Sequence, residues 1–553
     1  MTMTIKRYFA GAIAIICAAN IAASSAYAQW TQFGGPQRNF HAPAEELAES
    51  WPLGGPPVIW RRPLGDGYSG VLVDGDRLYT MYRRGGDEVI VAMARESGLT
   101  VWEHIYAVTT TDSADDYGGG PSATPAIAGD FLVTVGIGID IHCLNKETGE
   151  VIWSRDIMEE FEMPMPGRGF SASPVIIEDR NLVILPIGGN SEVLAVNDVR
   201  NVGVPDGAVA AFDLETGWIV WATQDFPGSK ASPLLIEFDG RQQVVVFMGN
   251  ELAGLNPSDG TLLWRHQHST DYAFNCSSPV FDGKDTIFCS SAYSNCTEAV
   301  QLIATDNGIE AKAKWSSRRL RIHFTNMLLV KGRLYGVNGM GRPGMLTSID
   351  AATGEMLWRS RGFARANLVY ADGKFLILDE DGQLALATFG EDGPKTHGKL
   401  NVSDSHAFAA PTLVGQSLYL RDRKFLTAFD ISPVAVAEFA KGRGRAFAAE
   451  IPELPTGVAA LLGEFVTEST GNEPQQVQVL IQQGWLMLEL PEQGRVRLAP
   501  QSDSSRWEFV EDRTSGSDPR TIEFYRDAKG TVAELVLRSA RQASRTYRLV
   551  FVP

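Results

Sequence analysis

The 553-residue sequence is short of cations and cysteine, and beyond its first thirty residues it has no long apolar run. Each shortage narrows what the chain can be. Lys and Arg number 49 against 66 Asp and Glu, a formal charge of −17, and no basic cluster follows the first ten residues. Contact with a nucleic-acid backbone needs clustered Lys and Arg, so the composition argues against a nucleic-acid partner. The one extended apolar run, from Tyr8 to about Ala23, follows Lys6 and Arg7 and precedes Ala26-Tyr27-Ala28, a small-x-small cleavage pattern. It reads as an export signal over residues 1–28, with the mature chain starting near Gln29. Ile16 before Cys17 is too bulky for a lipid-attachment box, and no later stretch could span a bilayer as a helix. A periplasmic or secreted monomer, with no membrane span after cleavage, is expected.

Four cysteines remain after the signal: Cys143, Cys276, Cys289 and Cys296. Export places them where disulfides form. Cys289 and Cys296 flank a short polar turn, so a bridge closing that hairpin is expected, with Cys276–Cys289 as the alternative pairing. Cys143 replaces an Ala-like residue of the repeat described next and reads as a buried, inert thiol.

What the chain has in quantity is a repeat. The segment Ala211-Phe-Asp-Leu-Glu-Thr-Gly-Trp-Ile-Val-Trp221 recurs at 92–102, 143–153, 254–264 and 348–358. In each copy a Gly stands four residues before the last Trp, as in Gly98/Trp102, Gly149/Trp153, Gly217/Trp221, Gly260/Trp264 and Gly354/Trp358. The pattern predicts two short strands around a tight turn, with the Gly in a left-handed conformation. A period of roughly 40–50 residues carrying such units is the signature of a β-propeller. Alternating apolar strands divide the chain into seven sheets over 68–106, 121–156, 170–225, 230–266, 275–316, 323–359 and 367–402. The third carries an insertion at 190–207, the fifth places Gly308 seven residues before Trp315, and the seventh lacks the Trp. Residues 410–431 supply only three strands, and the lone early strand 58–64, which contains Trp60, supplies the fourth. An all-β fold follows: an eight-bladed propeller over 29–432, closed by pairing of strand 58–64 with the strand near 425–429. Closure removes the free sheet edges. A linker over 433–456 then leads to a small antiparallel, barrel-like domain at 457–553, with six strands expected at 477–481, 485–490, 496–498, 507–510, 521–525 and 532–537.

The copies Asn145-Lys-Glu-Thr-Gly-Glu-Val-Ile-Trp153 and Asp350-Ala-Ala-Thr-Gly-Glu-Met-Leu-Trp358 resemble the tryptophan-docking motif of the PQQ-like propeller superfamily. That superfamily includes quinoprotein alcohol dehydrogenases and the periplasmic lipoprotein of the outer-membrane barrel-assembly machinery. The resemblance covers about residues 30–431, and the C-terminal segment is more weakly similar to small lipocalin-like domains. It implies that Trp102, Trp153, Trp221, Trp264, Trp315 and Trp358 are structural and pack between neighbouring blades. A quinone-dependent member would carry adjacent cysteines, a Glu/Asn calcium pair and an Asp base. This sequence has no Cys-Cys dipeptide, and no Glu/Asn/Asp set can be matched position by position, so bound PQQ and calcium are not supported by the residues and no catalytic residue is assigned.

In a propeller the loops entering the innermost strands share one face. That rule gathers Tyr68, Lys230, Asn275, His323, Asn326, Arg365, Asn367 and His406 at the channel mouth, with Arg83, Arg84, Tyr117, Arg168 and Phe170 near them. Cations at the mouth of an acidic chain suit a small anion, a carboxylate or an acidic peptide; the bland alternative is a solvated rim. His266-Gln-His268 puts two imidazoles on one face of a strand, half a metal site with no partner at ligand spacing, and reads as a surface pair. Asp112, Asp115 and Asp116 do not match a calcium-loop spacing, and Ser171 and Ser277 read as structural. A non-catalytic envelope binding or scaffold protein, with a protein or small acidic ligand as partner, is the expected function. A divergent quinoprotein dehydrogenase is the alternative.

Overall fold

The computed structural model describes residues 29–442 apart from 111–117, 162–167, 189–206, 294, 340–343 and 404, together with strands between 463 and 549. The export signal, Tyr117, the three aspartates of the 109–120 loop and most of the insertion lie outside the described residues. Eight four-stranded antiparallel sheets make up the propeller. The last is composite: Val58–Pro63 pairs with Phe425–Asp430, with Val58 opposite Phe429 and Pro63 opposite Phe425. The first and last strands of the ring thus cover each other's backbone groups.

Each repeat residue has a defined task in the joints between blades. In blade three Asp213 Oδ1 accepts from the backbone N–H groups of Glu215 and Thr216, which folds the turn, and Gly217 takes φ 72°. A Cβ on Gly217 would also lie 2.6 Å from the Trp153 ring, so the glycine is needed twice. Three residues after Gly217 a bulge interrupts the pairing: Ala211 faces Trp221 and Phe212 faces Ile219. The extra residue re-aims the strand end so that Trp221 leaves its own sheet. Its indole donates to Pro257 O of blade four at 2.9 Å. Trp60, Trp102, Trp153, Trp315 and Trp358 donate likewise to backbone carbonyls of the next blade, at 2.8–3.1 Å. Blade seven ends in Pro394–Asn401, which has no Trp. There Trp51 from the N-terminal segment fills the gap, its backbone N–H bonding His397 O and its side chain seated over Gly398.

Residues 30–41 cross the ring. Trp30 exchanges backbone hydrogen bonds with Val73, Ile127 N–H bonds Thr31 O, Arg38 Nη1 donates to Pro174 O, His41 Nε2 meets Leu329 O, and Tyr370 N–H bonds Phe40 O. These partners lie on or beside the innermost strands of blades one, two, three, six and seven. The channel is therefore floored by the N-terminal segment. Arg38 and Phe40 adopt positive φ (53° and 59°) to make the crossing.

Ser432 caps the helix Pro433–Ala440, with Pro at its first position, so the expected linker begins as a helix. Eight strands, two more than expected, follow from Gly463–Thr467 to Arg545–Leu549 and pair in a closed ring. Val479, Leu488, Leu498, Ile522 and Leu535 are buried there.

A buried acid couples blades one and two to pH. Glu88 accepts from Tyr106 Oη at 2.6 Å and from Ile137 N at 3.1 Å. Burial pushes its carboxyl up from 4.5 to about 7, the two hydrogen bonds oppose the rise, and nearby Asp140 adds to it. A raised acid pKa gives stability that is full below the unfolded value and lost as pH rises through the folded one. Relative to the wild type, Glu88→Gln should therefore gain about 3 kcal/mol of stability between pH 4 and pH 8. Denaturant midpoints of both proteins across that range, differing by a constant amount, would show that Glu88 does not titrate.

Candidate functional site

A ring of side-chain hydrogen bonds sets the channel wall. Gly70 N–H bonds Thr124 Oγ1, Thr124 N–H bonds Ser173 Oγ, Ser173 N–H bonds Ser232 Oγ and Ser232 N–H bonds Ser278 Oγ, each step crossing to the next blade. Asparagines continue it. Asn326 is zipped to Leu368 through both its amide atoms, and Asn367 Oδ1 accepts from Asn326 N–H while its Nδ2 donates to Phe408 O. The serine-rich strand starts are structural links.

Inside this girdle lies a cavity of about 430 Å³. Tyr68, Lys230, His323, Asn326, Arg365 and Asn367 line it, as do Arg168 and, from the floor, Arg38. Asn275 and His406 do not. Asn275 is buried, with Nδ2 donating to Met248 O at 2.6 Å, and His406 is exposed and stacked on Phe408. Arg83 and Arg84 are not lining residues: Arg83 donates to Gly119 O, at the edge of the lining, and Arg84 pairs with Glu103. The floor residues are the part that sequence reasoning missed; the run Phe33-Gly34-Gly35-Pro36 signalled an irregular path but not its destination.

The wall is cationic and aromatic. Phe274, Tyr293, His323, Phe324, Phe408 and Tyr68 form a near-continuous aromatic belt with centroid spacings of 4.9–6.0 Å. The Arg365 guanidinium lies 4.5 Å over the Phe324 ring and binds Glu380, a carboxylate with no exposure, from the side away from the cavity. Lys230 Nζ donates to Gly169 O, and no carboxylate pairs with it among the described residues. Lys230 is half-buried and lines the cavity. Burial lowers the amine to about 8, opposed by Cys276 and helped to a smaller extent by Arg168. Burial, then the charges of Arg365 and Arg168, lowers His323 to about 4, which leaves a neutral imidazole at pH 7. No Asp or Glu contributes to the lining among the described residues.

That donor set does not fit a calcium-bound quinone. Calcium requires several hard oxygen ligands, usually carboxylates. The lining offers none, and its asparagines are committed to backbone partners. The four cysteines of the described residues stand as free thiols, with Cys289 opposite Glu298 and Cys296 on the diagonal, its Sγ donating to Asn295 Oδ1 at 3.0 Å.

Comparison with known proteins agrees with the architecture. The family described as outer membrane protein assembly factor BamB matches residues 86–339. BamB from Moraxella catarrhalis is 17% identical, covering 68% of this chain and 99% of its own, at a TM-score of 0.47. Quinohemoprotein alcohol dehydrogenase from Comamonas testosteroni is 12% identical, covering 78% of this chain and 83% of its own, at 0.52. The ADHIIG enzyme from Pseudomonas putida HK5 is 12% identical, with 78% and 84% covered, at 0.50. A search of curated proteins finds no match. At these identities the likeness is one of fold. The chain is an eight-bladed β-propeller of PQQ-like repeats, similar to the BamB family over residues 86–339.

Proposed function

We propose that this is a non-catalytic binding protein of the cell envelope whose floored central cavity takes a small anion bearing a flat group, such as an aromatic carboxylate. The observation that carries the reading is Lys230, an amine in the cavity wall beside Arg168 that donates to a carbonyl, faces the Phe274 ring and has no carboxylate partner among the described residues. A desolvated cation without a counter-ion is costly, and a carboxylate would supply that charge. The aromatic belt supplies faces for a planar group. Export of the chain, its single-copy state and a role of the C-terminal strands as a second contact surface belong to the same reading, as does the envelope setting that the BamB match supports.

Calorimetric titration with benzene-1,3,5-tricarboxylate tests it, with the uncharged triamide as control. Binding of the acid and not the amide is expected, weakened at least about tenfold by Lys230→Met, as for loss of one charged hydrogen bond. Equal affinity for acid and amide would remove the electrostatic reading. Dye reduction by protein reconstituted with quinone and calcium would favour a dehydrogenase instead.

A further inference from the structure

The joint between blades four and five differs from the others. Trp264 donates within its own blade, to Gln243 Oε1 at 2.6 Å, and the facing blade carries the irregular Gly308 turn. Strand alternation places His266 and His268 on the same face as Trp264, towards blade five. Blade five presents Cys289 and, directly across its hairpin, Glu298. The histidines are thus not a surface pair: His268 has no side-chain exposure, and His266 and Glu298 are each 16% exposed.

We propose that His268, Cys289 and Glu298, with His266 beside them, form a binding site for a zinc-class divalent transition metal. The three donors lie within 4.8 Å of one another. His268 Nδ1 is 2.6 Å from Glu298 Oε2 and 3.8 Å from Cys289 Sγ, and His266 Nε2 is 3.2 Å from the same carboxylate oxygen. Tetrahedral zinc with bonds of about 2.0–2.3 Å needs donor separations of roughly 3.3–3.8 Å. An ion would have to open the His268–Glu298 contact by less than about 1 Å, while the His268–Cys289 and His266–Glu298 separations already lie near that spacing. Thiolate, imidazole and carboxylate together select zinc or a neighbouring transition metal over calcium or magnesium.

The orientation of His268 separates this reading from a simple hydrogen-bonded cluster. Met248 O can only accept, so it fixes the Asn275 amide with Nδ2 towards it and Oδ1 away. Oδ1 must then accept from the Ser291 hydroxyl, at 2.5 Å. With its proton spent, Ser291 Oγ accepts from His268 Nε2–H, at 2.8 Å. The imidazole is left with Nδ1 as the nitrogen directed at Glu298 and Cys289. A fully buried relay that fixes the tautomer and turns the other nitrogen towards a carboxylate and a thiol is the second-shell arrangement of metal-binding histidines. Metal binding would release the Cys289 thiol proton and the proton shared between His268 Nδ1 and Glu298, the ion taking their place.

The test uses the full chain, reduced, chelator-treated and titrated with cobalt(II). One equivalent should bind with a thiolate-to-cobalt charge-transfer band in the near ultraviolet, which zinc abolishes by displacement. Cys289→Ser should remove the band. Ser291→Ala, outside the ligand set, should keep the band and weaken affinity about 10–100-fold. Absence of the band in the wild type, or its survival in Cys289→Ser, would overturn the proposal. So would a Cys289–Cys296 disulfide found by mass spectrometry in the protein as purified. Should Cys289→Ser fail to fold, Ser291→Ala decides: unchanged affinity overturns the site.

Discussion

Trp221→Ala is expected to destabilise the propeller by about 3–5 kcal/mol, the cost of deleting a buried aromatic side chain. Trp221 packs over Gly260 of blade four, where a Cβ would come within 2.6 Å of its ring, and donates to Pro257 O. Alanine leaves a cavity between two sheets and an orphaned carbonyl. Trp221→Phe keeps most of the packing and should cost only about 1–2 kcal/mol, chiefly the lost hydrogen bond. Denaturant unfolding of the two variants separates the terms. A loss below about 1 kcal/mol for the alanine would show that the indole is not clamped between blades.

Arg365→Ala should be comparably damaging, by about 3–5 kcal/mol, because it strands a buried carboxylate. Glu380 has no exposure and meets the guanidinium at Nε, 2.9 Å away, and at Nη2. Arg365→Lys cannot reproduce that fork and should recover only part of the loss. Adding Glu380→Gln to Arg365→Ala should restore most of it, since no charge is then left unpaired. If the double variant is as unstable as the single, the stability at this position comes from stacking on Phe324 rather than from the pair. For the same reason Arg365 is a poor probe of ligand binding, and Lys230, whose partner is a neutral carbonyl, is the better one.

The architecture was legible because the interactions that build it are local and repeated. Asp213, Thr216, Gly217 and Trp221 specify a turn, a bulge and an indole direction within nine residues, and copies of that code count the blades. Strand 58–64 could be paired with 425–429 by strand arithmetic alone. The site was legible where chain position fixes place, as for Lys230, His323 and Arg365 at the starts of inner strands. It was not legible where a contact spans the ring. Arg38 bonds Pro174, 136 residues away, and nothing in the local sequence says that the segment floors the channel. Asn275, Asn326 and Asn367 resemble ligands in sequence, yet their amides are consumed by internal partners, chiefly backbone, that only the packed blades supply. His266 and His268 gain Cys289 and Glu298 from the next blade, so their partners could not be found at ligand spacing along the chain. The helix Pro433–Ala440 is a different case: Ser432-Pro433 was a visible start signal.

The most direct test of the functional account is proton uptake on ligand binding, measured by calorimetry with benzene-1,3,5-tricarboxylate at pH 8 in two buffers of different ionisation enthalpy. Lys230 lies at about 8 in the free protein, held down first by burial. A carboxylate beside it favours the charged amine, so binding should draw in up to about half a proton, and Lys230→Met should abolish the uptake together with most of the affinity. Binding of equal strength in Lys230→Met, with no proton exchanged in either protein, would contradict the account.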